Sequence, residues 1–213
     1  MLNVTPFTGT AASQLTVAIP SVTAGSTLFV VSGKGTTQIG SIIGNPGTVA
    51  FRGRLGQSYT NGFLTTFSLV NAPAGLTSLN INYSGTQTHT GYIFELQTPV
   101  PTCDPLDRVS SLDNSTATNL GNCGSAIGPP RFAGIALSVF IDFLGSATAY
   151  AAGSGWTAGT TIDNACFWQY SDAYTGTYGG STNQATVTGP GDVVGLIQLI
   201  SSGYTGIISY IGA

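Results

Sequence analysis

The feature that most constrains this chain is a repetition of short segments rich in β-branched and aromatic residues, each bounded by glycine, proline, asparagine or serine. Such segments are typical of β-strands, and their boundaries are typical of turns. Residues 78–83 (SLNINY) alternate most clearly, because Leu79, Ile81 and Tyr83 share one face while polar residues occupy the other. The pattern predicts an all-β protein with little or no helix.

The same signal predicts two series of strands. The first comprises residues 15–19, 27–32, 48–52, 63–70, 78–83 and 92–97, and the second comprises 135–143, 147–151, 165–170, 185–188, 193–200 and 206–210. With 30 glycines and 10 prolines, the chain has the turn density of a many-stranded antiparallel protein. We therefore expect an antiparallel β-sandwich of jelly-roll type.

The two series resemble each other in the order of their segments. Residues 66–69 (TFSL) align with 166–169 (CFWQ), and residues 91–96 (GYIFEL) align with 193–199 (VVGLIQL). This correspondence predicts one domain over 1–213, with two pseudo-repeated halves at about 1–98 and 131–213. The connection at 99–130 is long for a loop in a compact domain, so we expect it to be functional or partly structured.

Charge is scarce along the whole chain. Charged residues make up 6% of the sequence, against about 25% in ordinary soluble domains, so serine, threonine, asparagine and glutamine must cover much of the exterior. The five cations are scattered, which argues against a nucleic-acid partner: Lys34, Arg52, Arg54, Arg108 and Arg131. A net charge of -3 gives little repulsion between copies and favours close packing in an assembly.

The apolar residues of the sequence form neither a membrane-spanning segment nor a secretory signal. No apolar run reaches the ~20 residues that a membrane helix needs, so no membrane partner is expected. The first residues, MLNVTPFTGTAASQLTV, show no basic start followed by an apolar stretch and a cleavage site. Either the mature chain is not exported, or a leader has been removed from it; the first option fits a virion protein that is made in the cytosol.

The sequence contains no recognisable set of catalytic residues. The one histidine, His89, lies in a polar stretch and is interpreted as a solvated loop residue. Glu95 and Asp142 lie in apolar strands and are interpreted as facing solvent or an interface, rather than as a catalytic pair. We therefore predict no catalytic residues, no cofactor and no enzymatic activity.

The cysteines and the aspartates of the connection raise two weaker hypotheses. Cys103 and Cys123 flank a polar loop, so a disulfide between them is possible, while Cys166 is expected to be a buried small hydrophobe. Asp104, Asp107, Asp113 and Asn114 offer oxygen ligands of the type that calcium prefers, but their spacing matches no defined loop. The sequence therefore predicts no metal site.

Aromatic residues in the second half suggest a possible contact surface. Trp156, Tyr174 and Tyr178 fall in polar, glycine-rich stretches, whereas Trp168 is expected in the core. Amphipathic aromatics suit interfaces and the stacking of sugar rings. A glycan is therefore retained as a possible partner.

Three stretches together look like a known group of domains. They are residues 25–32 (GSTLFVVS), residues 78–85 with 91–96, and residues 152–157 (AGSGWT) ahead of 166–170 (CFWQY). The combination resembles the Gly/Thr-rich β-sandwich domains of tailed-phage virion proteins and bacterial surface proteins. The resemblance implies a structural or adhesive module and supplies no catalytic residues.

These observations favour a structural protein of a viral particle, a capsid decoration or cement subunit or a minor head or tail protein. Its expected partners are copies of itself and neighbouring particle proteins, reached through edge strands and through residues 1–10 by strand addition. The expected location is therefore the virion. Two alternatives stay open: a self-assembling extracellular filament or surface-layer subunit, and a carbohydrate- or receptor-binding adhesion module.

Overall fold

The computed structural model describes residues 2–47, 49–97, 106–114, 134–145, 149–163, 166–171, 185–188 and 193–201. These residues form antiparallel β-sheets and contain no helix, so the all-β prediction is confirmed. The strands are β1 (Leu2–Ala18), β2 (Thr27–Gly33), β3 (Ile39–Asn45), β4 (Val49–Ala50), β5 (Arg52–Tyr59), β6 (Gly62–Leu69), β7 (Ser78–Leu96), β8 (Leu106–Asn114), β9 (Gly134–Asp142), β10 (Ala149–Ala151), β11 (Thr157–Ile162), β12 (Cys166–Ser171), β13 (Thr186–Thr188) and β14 (Val193–Ser201).

The first sheet is organised by β7, its longest strand. β1 pairs with one edge of β7 along almost its full length, while β3 and β2 pair with the first and second parts of the other edge. β6 continues from β2, and β5 continues from β6. Because β4 pairs with β3 and leads through Phe51 into β5, the sheet returns almost to its start and is nearly closed.

A large irregularity bends β7 in its middle. Asn82 pairs with Gln14 and Gln87 pairs with Ala12, so residues 83–86 have no counterpart on β1. Such bulges bend a strand and increase its twist. The bend brings the rings of Tyr83 and His89 into a stack with their centroids 3.4 Å apart.

The second sheet has the order β11-β12-β9-β14-β8, and β10 and β13 form a small separate sheet. This order repeats that of the first sheet, β5-β6-β2-β7 with β1 beyond β7. The registers agree as well, since Thr66 pairs with Val31 as Cys166 pairs with Ile141. Along the next strand, Val31 pairs with Tyr92 as Ile141 pairs with Val194. These are the positions that the alignment of residues 66–69 with 166–169 and of 91–96 with 193–199 makes equivalent.

The predicted jelly-roll type is not confirmed by this strand order. In the described residues β1–β7 complete one sheet before β8, β9, β11, β12 and β14 build the other. The turn signals that suggested a jelly roll are shared by any many-stranded antiparallel protein, so they do not distinguish the order of the strands.

Three groups of buried side chains hold these layers together. The inner cluster fills the nearly closed sheet and includes Phe7, Val30, Phe51, Leu79 and Ile93. The central cluster lies between the two large sheets and includes Phe29, Tyr92, Phe94, Val139, Ile141 and Trp168. The outer cluster joins the far face of the second sheet to β10 and β13, through Phe140, Phe167, Ala185, Val187 and Val193.

The Tyr92 side chain crosses the central cluster and joins the two large sheets. Its ring is fully buried, and its hydroxyl lies 2.7 Å from the carbonyl oxygen of Thr160 and 3.0 Å from that of Cys166. Thr160 sits in an irregular stretch of β11, between the pairs that Ala158 and Thr161 make with β12. Such a stretch leaves some backbone groups without a partner on the neighbouring strand. The Tyr92 hydroxyl therefore donates the hydrogen bond that the carbonyl oxygen of Thr160 needs.

Several sequence predictions can be compared with these strands. Predicted segments 27–32, 63–70, 135–143, 165–170, 185–188 and 193–200 coincide with β2, β6, β9, β12, β13 and β14 to within a few residues. The predicted strands 78–83 and 92–97 are parts of one strand, β7. The connection at 99–130 contains strand β8, which confirms that it is partly structured, and the predicted strand 206–210 lies outside the described residues.

The N-terminal segment expected to reach a neighbour is paired within its own chain. Residues 2–9 pair with residues 89–96 of β7, and Phe7 is 6% exposed in the inner cluster. Loss of residues 1–10 would therefore uncover the core as well as remove the first part of β1.

We expect Tyr92→Phe to destabilise the fold by about 1–3 kcal/mol, because the carbonyl oxygens of Thr160 and Cys166 lose their shared donor. Urea unfolding followed by tryptophan fluorescence measures the difference. Tyr150→Phe is the matched control, since the buried Tyr150 hydroxyl has no hydrogen-bond partner among the described residues and its removal should be neutral or stabilising. Equal losses in the two variants would contradict the bridging role of Tyr92.

Candidate functional site

Glu95 is buried in the first sheet, contrary to the prediction that it faces solvent or an interface. It is 5% exposed, and its Oε1 accepts hydrogen bonds from the backbone N–H of Thr23 at 2.9 Å and the hydroxyl of Ser26 at 2.8 Å. Its Oε2 accepts a bond from Asn3 Nδ2 at 2.9 Å. The carboxylate thus fastens both β1 and the segment before β2 to β7.

The environment of Glu95 favours the charged form of its carboxyl group. Burial alone would raise its pKa, but the donors from Asn3, Thr23, Ser26 and Gln97 outweigh burial and hold the pKa below its usual value. A general acid requires a raised pKa and access to a substrate. Glu95 has neither, so its role is structural.

Asp142 is also buried, contrary to the same prediction. It is 0% exposed at the end of β9, where one carboxylate oxygen accepts a 3.0 Å hydrogen bond from the backbone N–H of Leu144. This local bond shapes the turn that follows the strand. The apolar residues around both acids in the sequence did signal burial, but the polar partners of Glu95 come from distant segments.

His89 lies on β7 and is 2% exposed, so its interpretation as a solvated loop residue is wrong. Its Nε2 lies 3.1 Å from the hydroxyl of Thr37, and its ring stacks on Tyr83. Burial lowers the pKa of His89 to about 4, which keeps the imidazole neutral near pH 7. The residues next to His89 in the sequence are polar and gave no sign of burial. Its burial depends on the bend in β7, which places the Tyr83 ring against the imidazole.

The aromatic contact surface is only partly within the described residues. Trp156 is half-buried after a turn in which its N–H donates to the carbonyl oxygen of Gly153 at 3.1 Å. Tyr174 and Tyr178 lie outside the described residues, so their grouping with Trp156 stays a prediction. Trp168 is 8% exposed in the central cluster, which confirms its assignment to the core.

The position of Trp168 depends on a glycine of the neighbouring strand. A Cβ atom at Gly159 would lie 2.0 Å from the indole ring, so only glycine leaves room for the ring there. The indole packs edge-on against Tyr92 and Phe94, with centroids 6.5 and 5.4 Å away, and stacks on Tyr170. Tyr170 is therefore half-buried against the core.

Of the three cysteines, Cys166 alone lies within the described residues. Cys103 and Cys123 lie outside the described residues, so their disulfide stays a prediction. Cys166 is a free, fully buried thiol, as expected, and burial raises its pKa far above the usual value. A thiol that stays protonated is a poor nucleophile, so Cys166 has a packing role.

Metal ligands are not gathered in the part of the chain that the structure describes, where no three histidine, cysteine or acidic residues come together. Asp107, Asp113 and Asn114 belong to strand β8, and Asp104 lies outside the described residues. Among the residues described, none forms a helix long and apolar enough to span a membrane.

A row of amide and hydroxyl side chains crosses the exposed face of β1, β7 and β3. Gln14 Nε2 donates to Asn82 Oδ1 at 2.7 Å, and Asn82 Nδ2 donates to the hydroxyl of Ser41 at 3.0 Å. In the neighbouring row, the hydroxyl of Thr16 donates to Asn80 Oδ1 at 2.9 Å. The face is polar and uncharged, so it can approach another surface without bringing together like charges.

Comparisons of the chain with protein-family models, with curated proteins and with solved structures found no match.

We expect Glu95→Gln to destabilise the fold by about 1–3 kcal/mol at neutral pH, because an amide NH₂ would face donors from other segments. Chemical denaturation measures the change. Asp163→Asn is the control, since Asp163 is exposed and its replacement should change stability by less than about 0.5 kcal/mol. A Glu95→Gln protein as stable as the wild type would show that the charge is unnecessary.

Acid should destabilise the protein through His89 before the Glu95 carboxylate is protonated, because the pKa of Glu95 is held below its usual value. The folded-state pKa of His89 is about 4 and its ordinary value is 6.5, so between these values the unfolded chain binds a proton that the folded chain excludes. Stability should therefore fall as the pH drops from about 6.5 towards 4, with a loss of about 2 kcal/mol by about pH 5.

Denaturation at about pH 7 and about pH 5 tests this expectation, with His89→Gln as the comparison. The variant should be less stable at both pH values but should lose less stability between them, since it carries no titrating group at position 89. A wild-type stability that stays constant over this range would contradict a buried, neutral His89.

Proposed function

We propose that this protein is a structural subunit of a viral particle, a capsid decoration or cement subunit or a minor head or tail protein, and that it acts through contacts with neighbouring subunits. The observation that carries the proposal is that the charged side chains of two strands are buried, whereas uncharged polar side chains cover an exposed face. Glu95 and Asp142 are buried, while the exposed face of β1, β7 and β3 carries linked amides and hydroxyls. Such a surface suits many weak contacts repeated by symmetry.

The proposal includes the finer architecture of the fold. The two large sheets form a β-sandwich of two pseudo-repeated halves, one sheet from each, with β8 of the connection at 99–130 added to the second sheet. Support comes from the repeated strand order and register, and from contacts of β1 with β11 and of β5 with β8, which are equivalent pairs under that repeat. A sandwich with equivalent edges on both sides offers neighbouring subunits two similar flanks.

A non-enzymatic role is part of the same proposal. Three ionisable groups that the structure buries have a structural explanation: Glu95 fastens two segments, Asp142 shapes a turn, and His89 stacks within a bend. Catalytic acids and bases instead converge on a cavity that a substrate can enter. The expected location is the virion, and no cofactor is required.

Two other functions are kept as proposals. A self-assembling extracellular filament or surface-layer subunit would use the same uncharged exterior, but purified protein would then polymerise alone. A carbohydrate- or receptor-binding adhesion module is favoured by the half-buried Trp156 beside a glycine-containing turn. In a glycan array, replacing Trp156 or Tyr174 by alanine should then abolish a signal that the wild type gives.

Mass spectrometry of gradient-purified particles from the source culture tests the leading proposal. We expect the protein to co-sediment with the particles in a constant ratio to the major capsid protein, because a structural subunit occupies a fixed number of symmetric positions. Detection only in the soluble or cell-wall fraction would contradict the virion role. Sedimentation velocity of the purified protein separates the filament alternative, which requires polymers without particles.

A further inference from the structure

The second part of β1, residues 14–18, leaves one side of its backbone unpaired by any described strand. The N–H of Ile19 donates to the carbonyl oxygen of Thr77 at 2.9 Å, and Leu15 and Val17 continue the same register with β7. Hydrogen-bonded pairs recur at every second residue of an antiparallel ladder. Leu15 and Val17 therefore direct their backbone groups towards β7, whereas Gln14, Thr16 and Ala18 direct theirs away from it.

No described strand pairs with this edge. The side chains of Gln14, Thr16 and Ala18 are exposed, and β1 carries no charged residue along its length. Native proteins usually protect such an edge with a charged residue, a proline, a bulge or a covering segment. In β1 these protections lie in its first part, as Pro6 and as the irregular register between Gly9 and Gln14.

The edges formed by β5, β8, β11 and the β10–β13 pair carry protections that residues 14–18 lack. β5 includes Arg52 and Arg54, and β8 has three charged residues in its sequence, Asp107, Arg108 and Asp113. β11 is interrupted by its irregular stretch, where the Tyr92 hydroxyl already occupies the carbonyl oxygen of Thr160. β10 and β13 are too short to form an extended pairing edge.

We propose that residues 14–18 of β1 bind the same segment of a second copy of this chain, in an antiparallel pairing centred on Thr16. A two-fold axis at Thr16 places Thr16 opposite its own copy and Gln14 opposite Ala18, so all three outward residues are paired. The ladder would contain about six hydrogen bonds and would join the first sheets of two copies. This pairing rests on the proposed function, because it names one of the contacts through which the subunit assembles.

The side chains agree with this register. Thr16 donates its hydroxyl to Asn80, so the pairing extends one polar row across both copies on the exposed face. On the opposite face Leu15 and Val17 pack with the inner cluster of their own chain and stay in place. Charges do not meet at the seam, since none is present on β1.

Sedimentation equilibrium with Thr16→Lys tests the pairing. The variant places two ammonium groups opposite each other at the two-fold axis, so its dimer dissociation constant should rise by at least about fivefold. Ser41→Lys is the matched control, because Ser41 is exposed on the same face but lies two strands from the edge. Its dimer should be as tight as that of the wild type.

Cross-linking gives a second readout that does not depend on charge. Cα atoms of a hydrogen-bonded antiparallel pair lie about 5.5 Å apart, within the range that a disulfide spans. Mild oxidation should therefore convert Thr16→Cys, but neither Ser41→Cys nor the wild type, to a covalent dimer. A wild-type protein that stays monomeric, equal dissociation constants for the two lysine variants, or absence of a covalent dimer of Thr16→Cys would each overturn the pairing.

Failure of the pairing and failure of the proposed function are distinguishable. A protein that co-sediments with particles but gives no Thr16-dependent dimer keeps the virion role and loses the pairing. A Thr16-dependent dimer that is absent from particles keeps the pairing and loses the virion role.

Discussion

The arrangement of the two large sheets depends on one side chain of the first sheet that is hydrogen-bonded to the second. Tyr92 starts from the first sheet, packs against Phe94 and Trp168 in the central cluster, and ends on backbone oxygens of β11 and β12. Apolar packing alone is tolerant of small slides between layers, whereas a directed hydrogen bond fixes one relative position. Trp168 can lie beside it because Gly159 leaves space for the indole.

Buried polar groups have a comparable part in the first sheet. Glu95 and His89 both lie on β7, one fastening the strand to β1 and to the segment before β2, the other stacking where the strand bends. Each is costly to bury and is compensated by specific partners. The acid and the imidazole that would ordinarily suggest catalysis are thereby explained by the architecture of one long strand.

Sequence patterns predicted the strands that are apolar and regular, such as β2, β9 and β12, because side-chain alternation and glycine boundaries are local properties. They missed β3, β5, β8 and β11, whose glycine- and polar-rich sequences form strands only through their neighbours. The same limit applies to the site residues. Trp168 and Cys166 stand in apolar runs and were assigned to the core, whereas the burial of His89 depends on Tyr83 and Thr37 across a bend.

The pairing of β1 with β7 has a consequence for how the chain acquires its structure. Leu2 lies opposite Leu96, so the first strand of this sheet to leave the ribosome waits for a partner that is made after all the other strands of the sheet. Contacts between residues so far apart in sequence are slow to form, and an unpaired strand is exposed to other chains meanwhile. During synthesis, β1 therefore cannot pair within its sheet until β7 has been made, although it is the first strand of that sheet to be made.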